Sequence, residues 1–302
     1  MSHIRLSRGF FASLVLVPLV TACAGHLETP PAVRPSLAAE ADTSLPSPAA
    51  LAVLDATLWM QTSAEYEALS RQTWEAAARL LPASVADTGW TAAIEQGSGA
   101  GSLPPAVIVD VDETVLDNSP YAARRILQDA PFSEQSWGAW VNEAKAKPVP
   151  GAVQFVRRAR ALGIEVFYVT NRLANLEAGT RRNLEAVGFP PGEAEDVLLL
   201  KNEREGWGSD KASRRSYIAR NYRIVMLAGD NLADFVSGAS DATIAEREEL
   251  VEKYGDMWGR RWIVLANPTY GSWASAIQKG LESPGAGERL RRKLDVLDPA
   301  EE

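Results

Sequence analysis

The chain has 302 residues, 46% hydrophobic and 23% charged, enough for one large domain with a smaller inserted or appended part, and it contains no internal repeat. Residues 1 to 22 carry Arg5 and Arg8 and no acid, leaving 29 basic against 39 acidic residues, a formal charge of −10. Such a body excludes nucleic-acid binding through phosphates, and an anionic ligand must meet a local cation or a metal. His3, His26 and Cys23 are the only residues of their kinds, so the rest of the chain offers no Cys nucleophile, Ser-His-Asp triad, phosphohistidine, His/Cys zinc site or disulfide.

Phe10 to Val20 is an apolar run of 11 residues. That is shorter than the about 20 needed to span a bilayer but suits the apolar region of a secretory signal, placed here at residues 1 to 22. Val20-Thr21-Ala22-Cys23 resembles the lipobox of bacterial lipoproteins, which implies a membrane anchor through lipid on Cys23; Ala24 lacks the Asp that would mark inner-membrane retention. A plain signal with an incidental cysteine and a buried N-terminal helix are the other readings. Residues 23 to 48, rich in Pro, Ala, Ser and Thr, read as a flexible tether, and residues 49 to 302 as the folded domain.

Residues 49 to 81 carry Tyr66, Leu69, Trp74, Ala77 and Leu80 at helical spacing, predicting one or two amphipathic helices. Val107-Ile108-Val109 then reads as a buried parallel strand running into Asp110 and Asp112. Ser119-Pro120 fits the cap and first position of a helix, opening a small helical insertion to about Lys147. A helix from Pro150-Gly151 to Gly163, a strand at Ile164 to Thr170 and a helix at Asn175 to Val187 follow. A strand at Val197 to Leu200, a helix at Ser209 to Asn221, a strand from Arg223 to Asp230, a strand at Trp262 to Ala266 and helices from Gly271 complete the order. Alternation of this kind predicts an α/β fold with a parallel sheet covered on both faces.

Residues i and i+2 of an extended chain share a side, so Asp110 and Asp112 can face one cation and one phosphoryl group. Taken alone, the motif has a second reading, as strand-end turn or cap aspartates. Open α/β sheets bind ligands at strand carboxyl ends, where Asp110, Thr170 and Asp230 fall, with Asp234 one turn further. Mg²⁺ prefers oxygen ligands, and the candidate metal set is Asp110, Asp112 (through its backbone carbonyl), Asp230 and, orienting from behind, Asp234.

These residues resemble a known set. DxDxT at Asp110, Asp112 and Thr114, Thr170 after an apolar strand, Lys211 on a later helix and Gly229 to Asp234 look like all four motifs of the haloacid dehalogenase superfamily. More narrowly, Asp110 to Tyr121, Val166 to Arg172, Gly229 to Phe235 and Asn267 to Trp273 resemble the bacterial class C acid phosphatases, lipid-anchored outer-membrane enzymes that also act as 5'-nucleotidases. Arg124 and Arg125 depart from the family, which tends to carry an aromatic residue there, as does Ala228 before the last glycine.

The resemblance implies a Rossmann-like haloacid dehalogenase core with a small helical insertion and N-terminal helices, and a homodimeric Mg²⁺-dependent phosphomonoesterase in the bacterial envelope. Asp110 is then the nucleophile and Asp112 the proton donor, with Thr170 and Lys211 holding phosphoryl oxygens. Trp137 and Tyr270 select the nucleoside, with Tyr121 and Asn171 as further substrate contacts. Lys201 competes with Lys211, Asp117 reads as a turn residue, Asn118 as a cap or a substrate contact, and Arg172 as a phosphate contact or a surface arginine. Two rival functions are a phosphotransferase using the same aspartyl phosphate and a non-catalytic surface binding lipoprotein. The second is disfavoured by the intact carboxylates and, for haem, by the missing His and Cys.

Overall fold

The computed structural model describes residues 45–189, 196–282 and 284–300. The predicted signal, Cys23 and most of the tether lie outside the described residues. Among those described, no helix is long and apolar enough to cross a membrane.

Strands are β1 (Pro105–Val109), β2 (Leu116–Asp117), β3 (Lys147–Pro148), β4 (Glu165–Leu173), β5 (Leu198–Lys201), β6 (Arg223–Gly229) and β7 (Trp262–Val264). Helices are α1 (Pro48–Leu51), α2 (Leu54–Thr62), α3 (Ala64–Ala86), α4 (Ser119–Leu127), α5 (Glu134–Glu143), α6 (Ala152–Ala161), α7 (Glu177–Ala186), α8 (Ala212–Ala219), α9 (Ile244–Lys253), α10 (Ser272–Ile277) and α11 (Ala286–Asp295). Five strands form a parallel sheet in the order β5-β4-β1-β6-β7. The expected α/β architecture is therefore the observed one. Val107, Ile108 and Val109 are all buried because β1 is central and covered on both faces, which is why its sequence is continuously apolar rather than alternating. Since the chain continues from β1 to strands on opposite sides, the loops beyond its carboxyl end diverge and leave a crevice there.

Trp74 of α3 packs its ring 4.7 Å from that of Phe155 in α6. Gly151 opens α6 at φ +92°, and a Cβ there would lie 3.1 Å from Trp74 Cβ, so the close approach and the backbone both demand glycine. Helix α3 runs through Pro82 instead of ending at 81. Leu81 and Ser84 are buried on either side of the proline, and that packing outweighs one missing helix bond. Arg223 then closes its C-terminal end, donating to the carbonyls of Ser84, Val85 and Asp87 at 2.8–2.9 Å.

Local boundaries differ from the sequence reading in instructive ways. Asn118, not Ser119, occupies the cap position of α4. Strand β4 continues past Thr170 because Leu173 pairs with Lys201 of β5. The helix expected over 209–221 spans only α8, and β7 stops at Val264. Helices α4 and α5 lie between the two-residue strands β2 and β3, whose antiparallel pairing, Leu116 with Pro148 and Asp117 with Lys147, forms a stem absent from the sequence reading. Asp117 makes the turn expected of it, accepting the Ser119 N–H at 2.8 Å.

Candidate active site

Register carries the site. Val109 pairs with Tyr168 on one side and Ala228 on the other, so Asp110 and Asp230, which follow β1 and β6, stand at nearly one level with Thr170 of β4. The Asp110 N–H still donates to the Ala228 carbonyl at 2.9 Å, which fixes Asp110 to the end of the ladder. Asp110, Asp230 and Asp234 each present an oxygen within 4.8 Å of the others. Lys211, the residue before α8, places Nζ against Asp110 and 2.6 Å from Asp234. Asp234 returns to the strand end through a single tight turn in which its Oδ2 accepts the Asn231 N–H at 3.0 Å. A Cβ on residue 229 would lie 2.6 Å from Asp234 Cβ, so β6 has to end on glycine. Asn267 holds Asp230 from the other side, Nδ2 to Oδ2 at 2.8 Å.

Asp112 is held differently. Its Oδ1 accepts from Arg172 Nη2 at 2.8 Å, Arg172 Nε at 3.0 Å and Asn118 Nδ2 at 2.9 Å. Its Oδ2 has only long contacts, at 3.3 Å to Arg172 Nε and 3.4 Å to Thr170 Oγ1. The carboxylate therefore stands outside the three-aspartate cluster. Arg172 is buried, correcting the surface alternative, and its guanidinium lies 5.4 Å from the Trp137 ring. Asn118 takes the cap position of α4 without a side-chain cap bond and also lines one cavity with Asp112, while its side chain bridges Asp112 and the indole N–H of Trp140, the latter at 2.8 Å.

Three acids facing one ammonium leave two negative charges uncompensated in a buried crevice. Burial, with Asp234 and Asp112 adding to it against the pull of Lys211, raises the Asp110 pKa to about 7. Burial, then Asp234 and Asp110, hold Asp230 well above the ordinary carboxylate range. Burial acts against the Lys211 ammonium, but Asp110 and Asp234 outweigh it and keep it charged. Clustered carboxylate oxygens with excess negative charge are the donor set that a hard divalent cation requires.

Asp110, Asp112, Lys211, Asp230 and Asp234 line one cavity of about 410 Å³, together with the expected Tyr121, Trp137, Asn171 and Tyr270. Thr170 does not line it. The hydroxyl is wholly buried and accepts the Arg172 N–H at 3.1 Å, so Thr170 supports Arg172 and Asp112 from behind. Asn171 is anchored by Nδ2 to the Ser209 carbonyl at 2.9 Å and by Arg214 Nη2 to its Oδ1 at 2.6 Å. Tyr121 is buried, its hydroxyl 2.9 Å from Ser136 Oγ, while Tyr270 is 47% exposed. Lys201 pairs with Leu173 at the β4–β5 edge and is absent from the cavity wall, which Lys211 lines.

Glu113 escaped the sequence reading. It is buried at φ +57°, accepts the Asn118 N–H at 2.8 Å and receives the Tyr270 hydroxyl. A non-glycine residue in that region costs about 1–2 kcal/mol, offset here by those two bonds. The one local signal was a charged residue directly after two strand-end aspartates.

Comparison with known proteins agrees with this geometry. A family model described as HAD superfamily, subfamily IIIB (acid phosphatase), matches residues 34–273. The class C acid phosphatase from Bacillus anthracis superposes with a TM-score of 0.73 at 30% identity, covering 84% of this chain and 99% of its own. Its tungstate-bound structure gives 0.73 at 29%, over 83% and 99%. Acid phosphatase 1 from Solanum lycopersicum is 27% identical over 135 residues, 44% of this chain and 52% of the relative, so the chain spans about half the length of the curated relatives it matches. A match of that extent to the family model, on a sheet whose strand ends gather these carboxylates, places the chain in the HAD superfamily as a member of subfamily IIIB, the acid phosphatases.

Proposed function

We propose that the chain is a Mg²⁺-dependent phosphomonoesterase that passes the phosphoryl group through Asp110 to water, acting on nucleoside monophosphates and aryl phosphates. One observation carries this reading: three carboxylates around Lys211 share a cavity with Asp112, whose Oδ2 is left nearly free of donors. An Asp110 oxygen attacks phosphorus in line, and the bond from phosphorus to the leaving oxygen breaks. Asp112 Oδ2 gives its proton to that oxygen and then takes one from the water that cleaves the aspartyl phosphate, releasing inorganic phosphate. Arg172 and Asn118 keep Oδ1 occupied, so proton traffic belongs to Oδ2. Lys211 and the backbone beyond Thr170 meet the phosphoryl oxygens. A divalent ion held by Asp110, Asp230 and the Asp112 carbonyl, with Asp234 beside it, would screen the repulsion between nucleophile and phosphate.

Trp137 and Tyr270 would select an aromatic leaving group by stacking, worth about 1–3 kcal/mol per base. Tungstate bound to the Bacillus anthracis enzyme supports a tetrahedral oxyanion as the ligand. The lipid anchor on Cys23, the outer-membrane location and a homodimer are proposed from the sequence resemblance alone. Loss of membrane association in Cys23→Ala and light scattering of the purified protein test them.

The deciding experiment assays Asp110→Asn with p-nitrophenyl phosphate and with AMP, with and without Mg²⁺. Full activity in the variant, or undiminished wild-type activity in excess chelator, defeats the reading. Product analysis with added alcohol separates hydrolysis from phosphotransfer.

A further inference from the structure

The 410 Å³ cavity opens beside a second cleft of about 910 Å³ enclosed by α1, α4, α10 and α11. Arg125, Phe132, Thr269 and Tyr270 line both, so they form the wall between the two. Arg125 is the cation of that wall, and its situation differs from that of Arg172 and Lys211. Those two are committed to Asp112 and to Asp110 with Asp234. Arg125 has no ion pair among the described residues, and its Nε is buried without a hydrogen-bond partner. Its guanidinium lies 5.9 Å from the Tyr121 ring centroid and 6.0 Å from that of Phe132, contacts that place it without neutralising it. Arg289 and Lys293 of α11 line the second cleft, and neither has an acidic partner there. Asp129 is the acid on its wall, and its Oδ1 accepts the Ser47 hydroxyl at 2.6 Å.

Resting on the phosphatase reading, we infer that this cleft is a subsite for a second phosphate, so that the enzyme favours phosphomonoesters carrying another phosphate remote from the one cleaved. The body carries a formal charge of −10 when residues 1 to 22 are set aside, so three cations with one acid stand against the general field. A guanidinium is suited to phosphate because its planar set of donors matches the oxygens in pairs. Arg125 is a specificity-determining residue in this arrangement: the reacting phosphate sits against Asp110, and the second one passes the wall to meet Arg125, with Arg289 and Lys293 behind it. The hydrolysis itself is unchanged.

The test measures kcat/KM for AMP, adenosine 3',5'-bisphosphate and p-nitrophenyl phosphate in the full holoenzyme, in Arg125→Gln and in Arg289→Gln/Lys293→Gln. Each variant is normalised to its own p-nitrophenyl phosphate turnover. Charge-assisted hydrogen bonds of the usual strength predict a bisphosphate preference of about tenfold or more in the wild type. It should fall toward unity in Arg125→Gln, fall partially in the double variant, and weaken with rising ionic strength. A wild-type ratio near one, or a preference that survives both variants, overturns the inference while p-nitrophenyl phosphate turnover stands. Loss of that turnover in the wild type would instead overturn the phosphatase reading.

Discussion

Two hollows of this fold teach opposite lessons. The larger, an apolar groove of about 1260 Å³ along β7 and α9, is walled by residues such as Leu232, Ile244, Val251, Trp258 and Val264, and touches the carboxylate cluster only through Asp230. The smaller, at the carboxyl end of β1, gathers five acids against Lys211, Arg125 and Arg172. Apolar surface at a sheet edge needs no chemical reason, because much of any protein surface is apolar. Like charges forced together in a buried crevice do need one, since each loses hydration that only a cation or a ligand restores. Charge convergence, not volume, marks the site.

The sharpest way to break that contrast is to change one residue in each hollow. Asp110→Asn should lower kcat/KM by at least about 10⁴-fold with the fold retained, as loss of a nucleophile acting in a catalytic unit does. Val251→Ser in the groove should leave kcat/KM within about twofold, since substitutions away from such a unit have little leverage. Comparable losses from the two variants would erase the distinction.

Lys211→Met comes next. It leaves Asp110 and Asp234 buried without their cation, so it should destabilise the chelated protein by about 3 kcal/mol or more. Thermal denaturation with and without divalent ion reads this, and the ion should recover part of the loss.

The pH dependence of the ion-free protein is a third, smaller effect. Asp110, at about 7 when folded, lies above its unfolded value, and Asp230 and Glu113 are also raised. A carboxyl with a raised folded pKa binds its proton more tightly in the folded state. Its contribution is therefore fully present below the unfolded pKa of about 4 and is lost as pH rises through the folded value. In chelator the melting temperature should fall between pH 5 and pH 8, and added Mg²⁺ should flatten that slope. A melting temperature that rises across the same range would show that these carboxyls are not strained by one another. Smallest of all, Thr170→Val should slow turnover only about tenfold, because its hydroxyl acts through Arg172 and Asp112.

What could be read from the chain alone followed from locality. Asp110, Asp230 and Asp234 announce themselves by ending apolar strands or following one by a single turn, whereas Lys211 is reached only through the family resemblance, by its place at the start of the helix before the Asp230 strand. The alternation of apolar strands and helices likewise sufficed for the parallel sheet. Arg172 was ambiguous because its burial against Asp112 is decided by β4 running three residues past Thr170, which depends on pairing with β5. The bond between Glu113 and Tyr270 joins residues 157 apart and has no local signature. The β2–β3 stem is two residues long, too short for any periodicity to declare it. The helical pattern read to residue 81 stops short for the converse reason: Pro82, a strong local breaker, is overruled by packing.

The central claim is that Asp110 takes the phosphoryl group onto its own carboxylate. Rapid quenching of the wild-type enzyme during turnover, followed by borohydride reduction and peptide mass spectrometry, tests it directly. The account predicts homoserine at position 110, dependent on substrate and on divalent ion; sustained turnover with an unmodified aspartate there would contradict it.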